Sequence, residues 1–350
     1  METKKRIFKK MLEKVLIPEG ISEEEEYALL KPIIDYVHKI MPSRLFRYRE
    51  CSERQFDAFY NDKVYAVNAQ MFNDPYDCLI SYDKKYLYST IEAGASKELI
   101  KQLRDRLRKG EPFPEFLASL YGEELTKLLK DVICNVTDEE LNKKKFTFEL
   151  NKKELFKYVE IILKQAEDYL RRNTFIACFS ETVKSITMWS HYANSHKGFV
   201  LEYDFRDLNY KCDTCVKRDF CHDKLIFNLY PIIYDNKRYD ATSFVEYYLG
   251  LSVGFHPMMN DKMYFTKTAL YKSPQWKYEK EWRLFLNNNS STKASCLDIQ
   301  IKPVAIYYGN DISSINKNIL SKIAKEKGIK EYQMYVDVES QEYTMKYRKI

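Results

Sequence analysis

The sequence predicts an α+β protein, and three observations carry that prediction. Segments such as TFIACFSE (174–181) and KGFVLEYDF (197–205) alternate in the way strands do, because successive strand side chains point to opposite faces. Residues 83–172 form a long stretch rich in Lys, Glu and Leu with helical spacing. Strand and helix signals then follow one another without regular alternation, which argues against a doubly wound sheet.

Taken in order, residues 5–17 and 24–40 read as helices. The second is favoured by Glu23 to Glu26 in its first turn, and Pro32 is expected to kink or restart it. RLFRYRE is a short extended segment, Glu53–Tyr60 a helix and KVYAVNA a strand. Asn73-Asp74-Pro75 is a turn, with Phe72 and Tyr76 expected to anchor it to the core. Helices are expected at 96–109, 114–132 and 152–172, then strand 174–181, a helix over ITMWSHYANS after a Ser185 cap, and strand 197–205. KLIFNLYPIIYDNKRY adds strand material, and 241–252 and 261–273 read as helices. CLDIQIKPVAIYYGND (strand), INKNILSKIAKEKG (helix, stopped at Gly328) and two terminal strands close the chain. The organisation is an N-terminal helical segment (1–43), a first part of the α+β core (44–82), a helical insertion (83–172) and the remaining core (173–350), with a cysteine loop at 210–223.

Composition excludes some classes. Among 350 residues, 45% are hydrophobic and 31% charged, a globular balance. The 29 tyrosines suit large amphipathic surfaces and clefts. A net charge of +6 is compatible with nucleic acid or an anionic cofactor. No apolar run reaches the ~18 residues of a membrane span, and no secretory leader follows the basic N-terminus. Eight cysteines then read as reduced thiols. The expectation is a cytoplasmic protein with no membrane association.

The most informative stretch is Trp276 to Leu286, WKYEKEWRLFL. Read as one strand, it puts Trp276, Tyr278, Trp282, Leu284 and Leu286 on one face and Lys277, Glu279, Glu281 and Arg283 on the other. That charged face is either solvated or part of a site. Asn73, Asp74 and Asp77 either bind a ligand or form the turn. His191 is a candidate polar contact, while Trp189 packs or stacks. Glu202 and Asp204 share a strand face and, with Asp74, would centre a metal-dependent nuclease. Cys212, Cys215 and Cys221 have C-x2-C-x5-C spacing. The pair C-x2-C lets two thiolates reach one zinc, with Cys221 or His222 as third ligand; otherwise this is a loop of reduced thiols.

Six words together, LFRYR (45–49), FNDPYD (72–77), CFSE (178–181), MWSHYANSHKGFVLEYDF (188–205), WKYEKEWRL (276–284) and IKPVAIYYG (301–309), resemble a bacterial family of unknown function, numbered twenty-nine seventy-one and related in outline to abortive-infection proteins. Its motif order is similar to that of ADP-ribosyltransferases of the arginine–serine–glutamate class. That resemblance implies a split β-sheet with a helical insertion. It implies Arg47 on the NAD phosphates or ribose, Ser180 supporting the site, Glu281 as catalytic glutamate, and Glu279 orienting or deprotonating the acceptor. Tyr48 or Trp189 would stack on nicotinamide, with Asn73 and His191 as further cofactor contacts. The usual Ser-Thr-Ser triplet is replaced by Cys178-Phe179-Ser180-Glu181. The implied function is NAD-dependent ADP-ribosyl transfer, or NAD hydrolysis, with an unidentified protein or nucleic-acid acceptor, in anti-phage defence or toxin activity. The alternatives are a non-catalytic nucleic-acid or partner sensor using basic helices at 98–109 and 142–172, and the nuclease.

Overall fold

The computed structural model describes residues 2–94, 98–142, 152–206, 228–252, 261–286 and 296–350. Helices α1 (Glu2–Lys14) and α2 (Glu23–Ile40) open the chain. Ser22 and Glu25 cap α2 reciprocally, satisfying backbone amides that a helix start leaves free. Pro32 neither ends nor restarts α2. Ile33, Ile34 and Val37 are buried against the core and hold the turn that proline weakens.

Ten strands make one mixed sheet, parallel between two of its neighbours and antiparallel elsewhere. One half contains β1 (Leu45–Arg49), β4 (Phe199–Tyr203), β10 (Ala305–Tyr308), β11 (Lys330–Val336) and β12 (Met345–Lys349), in the order β12-β11-β10-β4-β1. The other contains β2 (Lys63–Asn68), β3 (Phe175–Ser180), β5 (Leu229–Pro231), β8 (Glu281–Leu286) and β9 (Cys296–Gln300), in the order β9-β2-β3-β8-β5. The halves meet where Phe46 of β1 pairs with Ser180 of β3. At its other end the same edge of β3 pairs with β2 through Phe175 and Ile176. Between those points, at Ala177–Phe179, the edge of β3 has no strand partner among the described residues, and the sheet gapes.

β6 (Ile233–Tyr234) and β7 (Tyr271–Lys272) form a separate parallel pair beside this opening. α9 (Ile186–Tyr192) covers one face of β1, with Met188 and Trp189 buried there. Gly198 permits a close backbone approach: a Cβ there would lie 2.1 Å from the Arg49 carbonyl oxygen. On the opposite side, α1 buries Phe8 and Leu12 with Trp282 and Leu284 of β8 in the main core.

Residues 83–172 are helical where described: α4 (Lys84–Gly94), α5 (Glu98–Arg108), α6 (Glu115–Asn135), α7 (Asp138–Asn142) and α8 (Lys152–Asn173). α8 packs on β2 and on the 3-10 turn Ala69–Met71. The arginines of α5 are engaged within this block. Arg104 bonds the Val136 carbonyl and Asp138, Arg106 bonds Glu111, and Arg108 bonds the Cys134 carbonyl. The remaining helices are α3 (Glu53–Tyr60), α10 (Thr242–Ser252), α11 (Tyr264–Thr268) and α12 (Ser314–Lys327). Gly328 ends α12 in the left-handed region, where lack of a Cβ removes the penalty.

Four sequence expectations are corrected. Trp276–Leu286 is not one strand: Pro274–Glu279 is a 3-10 turn, Lys280 turns left-handed (φ 47°), and only Glu281–Leu286 is extended. Alternation cannot separate a strand from a turn followed by a strand. Trp276 is accordingly half-buried rather than in the core. The helix expected at 261–273 shortens to α11 and gives way to β7, whose parallel pairing with β6 is non-local. The strand expected at 296–311 divides into β9 and β10, in different halves of the sheet, at the Pro303 break. Tyr76 does not anchor the FNDPYD turn; it is 66% exposed, against Arg238.

Among the described residues no helix is long and apolar enough to cross a membrane. Cys212, Cys215 and Cys221 lie outside the described residues.

Candidate active site

The gap between β1 and β3 opens into a cleft of about 530 Å³. Arg47, Tyr48, Asn73, Ser180, His191, Glu279 and Glu281 all line it. Trp189 does not. It is fully buried in the core beneath α9, and its Nε1 donates to the Val183 carbonyl at 2.6 Å.

In the cleft, Arg47 is 8% exposed. Its Nη2 donates to the Tyr65 carbonyl on β2, and its guanidinium lies over the Phe179 ring at 5.5 Å. Nε and Nη1 are buried with no hydrogen-bond partner among the described residues. Burial pulls the guanidinium below its ordinary value. Leaving a charged donor dry and unpaired costs free energy that folding alone does not recover. Arg49 and Arg54 line the same cleft, Arg54 stacked on Tyr65 at 4.8 Å.

The cleft also holds a buried charge network. Arg283, 0% exposed, grips Asp77 through Nη1–Oδ1 (2.7 Å) and Nη2–Oδ2 (2.5 Å), and its Nε donates to Glu281 Oε1 at 2.8 Å. Lys272 Nζ reaches Glu279 Oε2 (2.6 Å) and Glu281 Oε2 (3.1 Å), and sits over the Trp276 ring at 4.7 Å. The Tyr192 hydroxyl donates to Glu279 Oε1 at 2.6 Å and accepts from Asn73 Nδ2 at 3.1 Å. One continuous chain thus runs Asn73–Tyr192–Glu279–Lys272–Glu281–Arg283–Asp77.

The two glutamates are pushed apart in acidity. Burial and then the neighbouring Glu281 raise the Glu279 carboxyl above the ordinary value. Burial also opposes ionisation of Glu281, but Arg283 and Lys272 override it and hold that carboxyl well below the usual range. Burial works against the Lys272 charge as well, yet Glu281, Glu279 and Asp77 keep it firmly protonated. Lys272 is a fixed cation, not a nucleophile.

Other candidates are already engaged. Ser180 Oγ donates to the Glu279 backbone carbonyl at 2.7 Å and accepts from the Thr182 amide, so it pins the turn that carries Glu279. The Tyr48 hydroxyl donates to the Thr182 carbonyl at 2.8 Å and its ring meets Trp189 edge-on. His191 Nδ1 lies 3.2 Å from the Tyr278 hydroxyl at the cleft mouth. Asp74 accepts from the Tyr76 amide as an Asx turn. Glu202 and Asp204 both pair with Arg44, and Tyr307 donates to Glu202. Among the described residues no three of His, Cys, Asp and Glu are grouped to hold a metal ion.

Sequence reasoning missed Lys272, which carried no signal inside an expected helix. Arg283 did carry one: two-residue spacing from Glu281 put both on one face. That face turned inwards rather than to solvent.

The fold is mixed α/β, with a cleft in a gap of its sheet. Residues 188–284 match the model of the family described as Protein of unknown function (DUF2971), the family that the sequence words resemble. Comparison with the curated proteins and with the solved structures finds no match. The matched stretch contains Tyr192, Lys272, Glu279, Glu281 and Arg283; Arg47, Asn73, Asp77 and Ser180 lie before it.

Proposed function

We propose that this cleft cleaves the nicotinamide–ribose bond of NAD and transfers ADP-ribose to a protein or nucleic-acid acceptor, or to water. The observation that carries the reading is Arg47: a buried guanidinium with two unpaired nitrogens, lining the same cleft as two carboxylates. A phosphate oxygen would satisfy those nitrogens with charge-assisted hydrogen bonds.

The charge network suits the rest of such a substrate. Three carboxylates, Asp77, Glu279 and Glu281, face two cations, Lys272 and Arg283. One negative charge is left over, and a preorganised charge in a dry site stabilises a ribose that turns cationic as nicotinamide leaves. The order arginine on β1, serine on β3, then Glu279 just before β8 and Glu281 at its start, around a sheet that parts between β1 and β3, supports an ADP-ribosyltransferase-like split sheet. Incubation of the purified chain with NAD labelled in the nicotinamide ring tests the reading. Release of nicotinamide by the wild type and its loss in Arg47→Met is the expected result; no release and no NAD binding by the wild type overturns it.

A further inference from the structure

We propose that in this chain the working carboxylate is Glu279 alone, that Tyr192 is its positioning residue, and that Glu281 is a fixed charge that does not react. This rests on the NAD-cleaving reading above and departs from the class that reading draws on, where the second glutamate of the E-x-E strand is catalytic.

The partners of the two side chains carry the inference. Both oxygens of Glu281 are taken: Oε1 by Arg283 Nε, Oε2 by Lys272 at 3.1 Å and by Arg283 Nη2 at 3.3 Å. Arg283 is itself locked by Asp77 and by the Ala269 carbonyl at 2.6 Å. Moving Glu281 towards a ligand would strand a buried guanidinium. Glu279 has no such anchor. Its oxygens are bonded by one neutral phenol at Oε1 and one ammonium at Oε2, and the phenol is held in turn by the exposed Asn73 of the FNDPYD turn. Backbone geometry separates the two further. Glu281 opens a strand in register with Ser180, whereas Glu279 ends a 3-10 turn just before the left-handed Lys280.

The step balances as follows. The C1′–N bond of NAD breaks and its electron pair leaves with neutral nicotinamide. The acceptor oxygen or nitrogen forms the new bond to C1′, and its proton goes to a Glu279 carboxylate oxygen. Tyr192 keeps its own proton and orients Oε1. The groups facing Glu279 are Lys272, Glu281, Tyr192, Tyr234 and Tyr278, with Arg283 and Asp77 behind them. Burial and Glu281 together raise the Glu279 carboxyl, which suits a group that must take up a proton and lose it again.

Two arms test this. In the first, without NAD, the side-chain carboxyls of 13C-glutamate-labelled protein are titrated by NMR, with Glu279→Gln identifying its resonance by loss. Glu279 should titrate above free glutamate and move higher still in Tyr192→Phe, because a donor to the carboxylate has been removed. Glu281 should stay ionised throughout. A Glu279 resonance unmoved in Tyr192→Phe, or a Glu281 that titrates at or above Glu279, overturns the assignment. In the second arm, nicotinamide release should fall on the order of 100-fold or more in Glu279→Gln. In Tyr192→Phe it should fall roughly tenfold in kcat, with KM little changed and the acidic limb of the pH profile moved upwards. Release that survives in Glu279→Gln but is lost in Glu281→Gln, with both variants folded, overturns the proposal. If the wild type releases no nicotinamide, the NAD reading falls and Glu279's chemical role falls with it, while the titration still decides whether Tyr192 sets Glu279.

Discussion

Arg283 and Asp77 form a two-pronged ion pair, 2.7 and 2.5 Å, in which neither side chain is more than 1% exposed. It joins the FNDPYD turn to β8 and lets a guanidinium sit inside the core. Removing one partner of such a pair leaves an uncompensated buried charge, whereas replacing both by apolar groups is often close to neutral. Arg283→Met should therefore destabilise the protein by about 3–5 kcal/mol. Asp77→Leu combined with Arg283→Met should recover part of that, although Glu281 also loses a partner. Urea unfolding midpoints in a double-mutant cycle measure it, and simple additivity would show that the pair is not coupled.

Arg47 should behave in the opposite way. Its Nε and Nη1 are desolvated without partners, so Arg47→Met should not lower the unfolding midpoint of the ligand-free protein. The same substitution should abolish any thermal shift produced by NAD. A variant that unfolds more easily while still responding to NAD would assign Arg47 a structural role.

Acid should loosen the site through Glu281. The Glu281 carboxyl lies below its unfolded value of 4.5, so its stabilising contribution is complete above about pH 4.5 and is lost as the pH falls through the depressed folded value. Glu279 has the opposite sign: its raised carboxyl lowers stability as pH rises from the unfolded value through the folded one. At neutral pH, Glu281→Gln should lower the denaturation midpoint and Glu279→Gln should leave it unchanged or raise it. Equal losses in both would refute the difference in environment.

Ser180→Ala separates positioning from chemistry. The hydroxyl bonds a backbone carbonyl and a backbone amide, and leaving such groups unpaired costs about 1–3 kcal/mol. Stability should fall by that amount and nicotinamide release only partly, through displacement of Glu279. Complete loss of release at unchanged stability would make Ser180 a reacting group.

Lys280 has φ 47°, a region that disfavours side chains with a Cβ. Lys280→Gly should stabilise the folded protein by about 1 kcal/mol, and Lys280→Val should destabilise it, as read from thermal midpoints. A β-branched residue tolerated there would mean that the turn can relax.

What was legible in the sequence follows from the range of the forces involved. β3, β4, α9 and α12 were readable because alternation, a serine cap and a glycine stop are local signals. The grouping of Arg47, Ser180, Glu279 and Glu281 was legible through motif order rather than physics. Lys272 was not legible, because β7 exists only by pairing with β6, and no local pattern encodes a non-local pair. Alternation alone leaves the charged face of β8 open between solvent and site, and the structure buries it. Arg283 needed Asp77 to be buried, and nothing in either local sequence announces the other.

The single joint between β1 and β3 also bears on how the chain acquires its shape. β1 is made early, but its partners β4 and β3 come far later, and β8 later still. During synthesis β1 therefore has none of its strand partners until β3 and β4 have left the ribosome. Such sequence-distant pairing makes folding slow and leaves early strand edges open to wrong partners. The helices of residues 83–172 can form meanwhile from local contacts, before the cleft they interrupt exists.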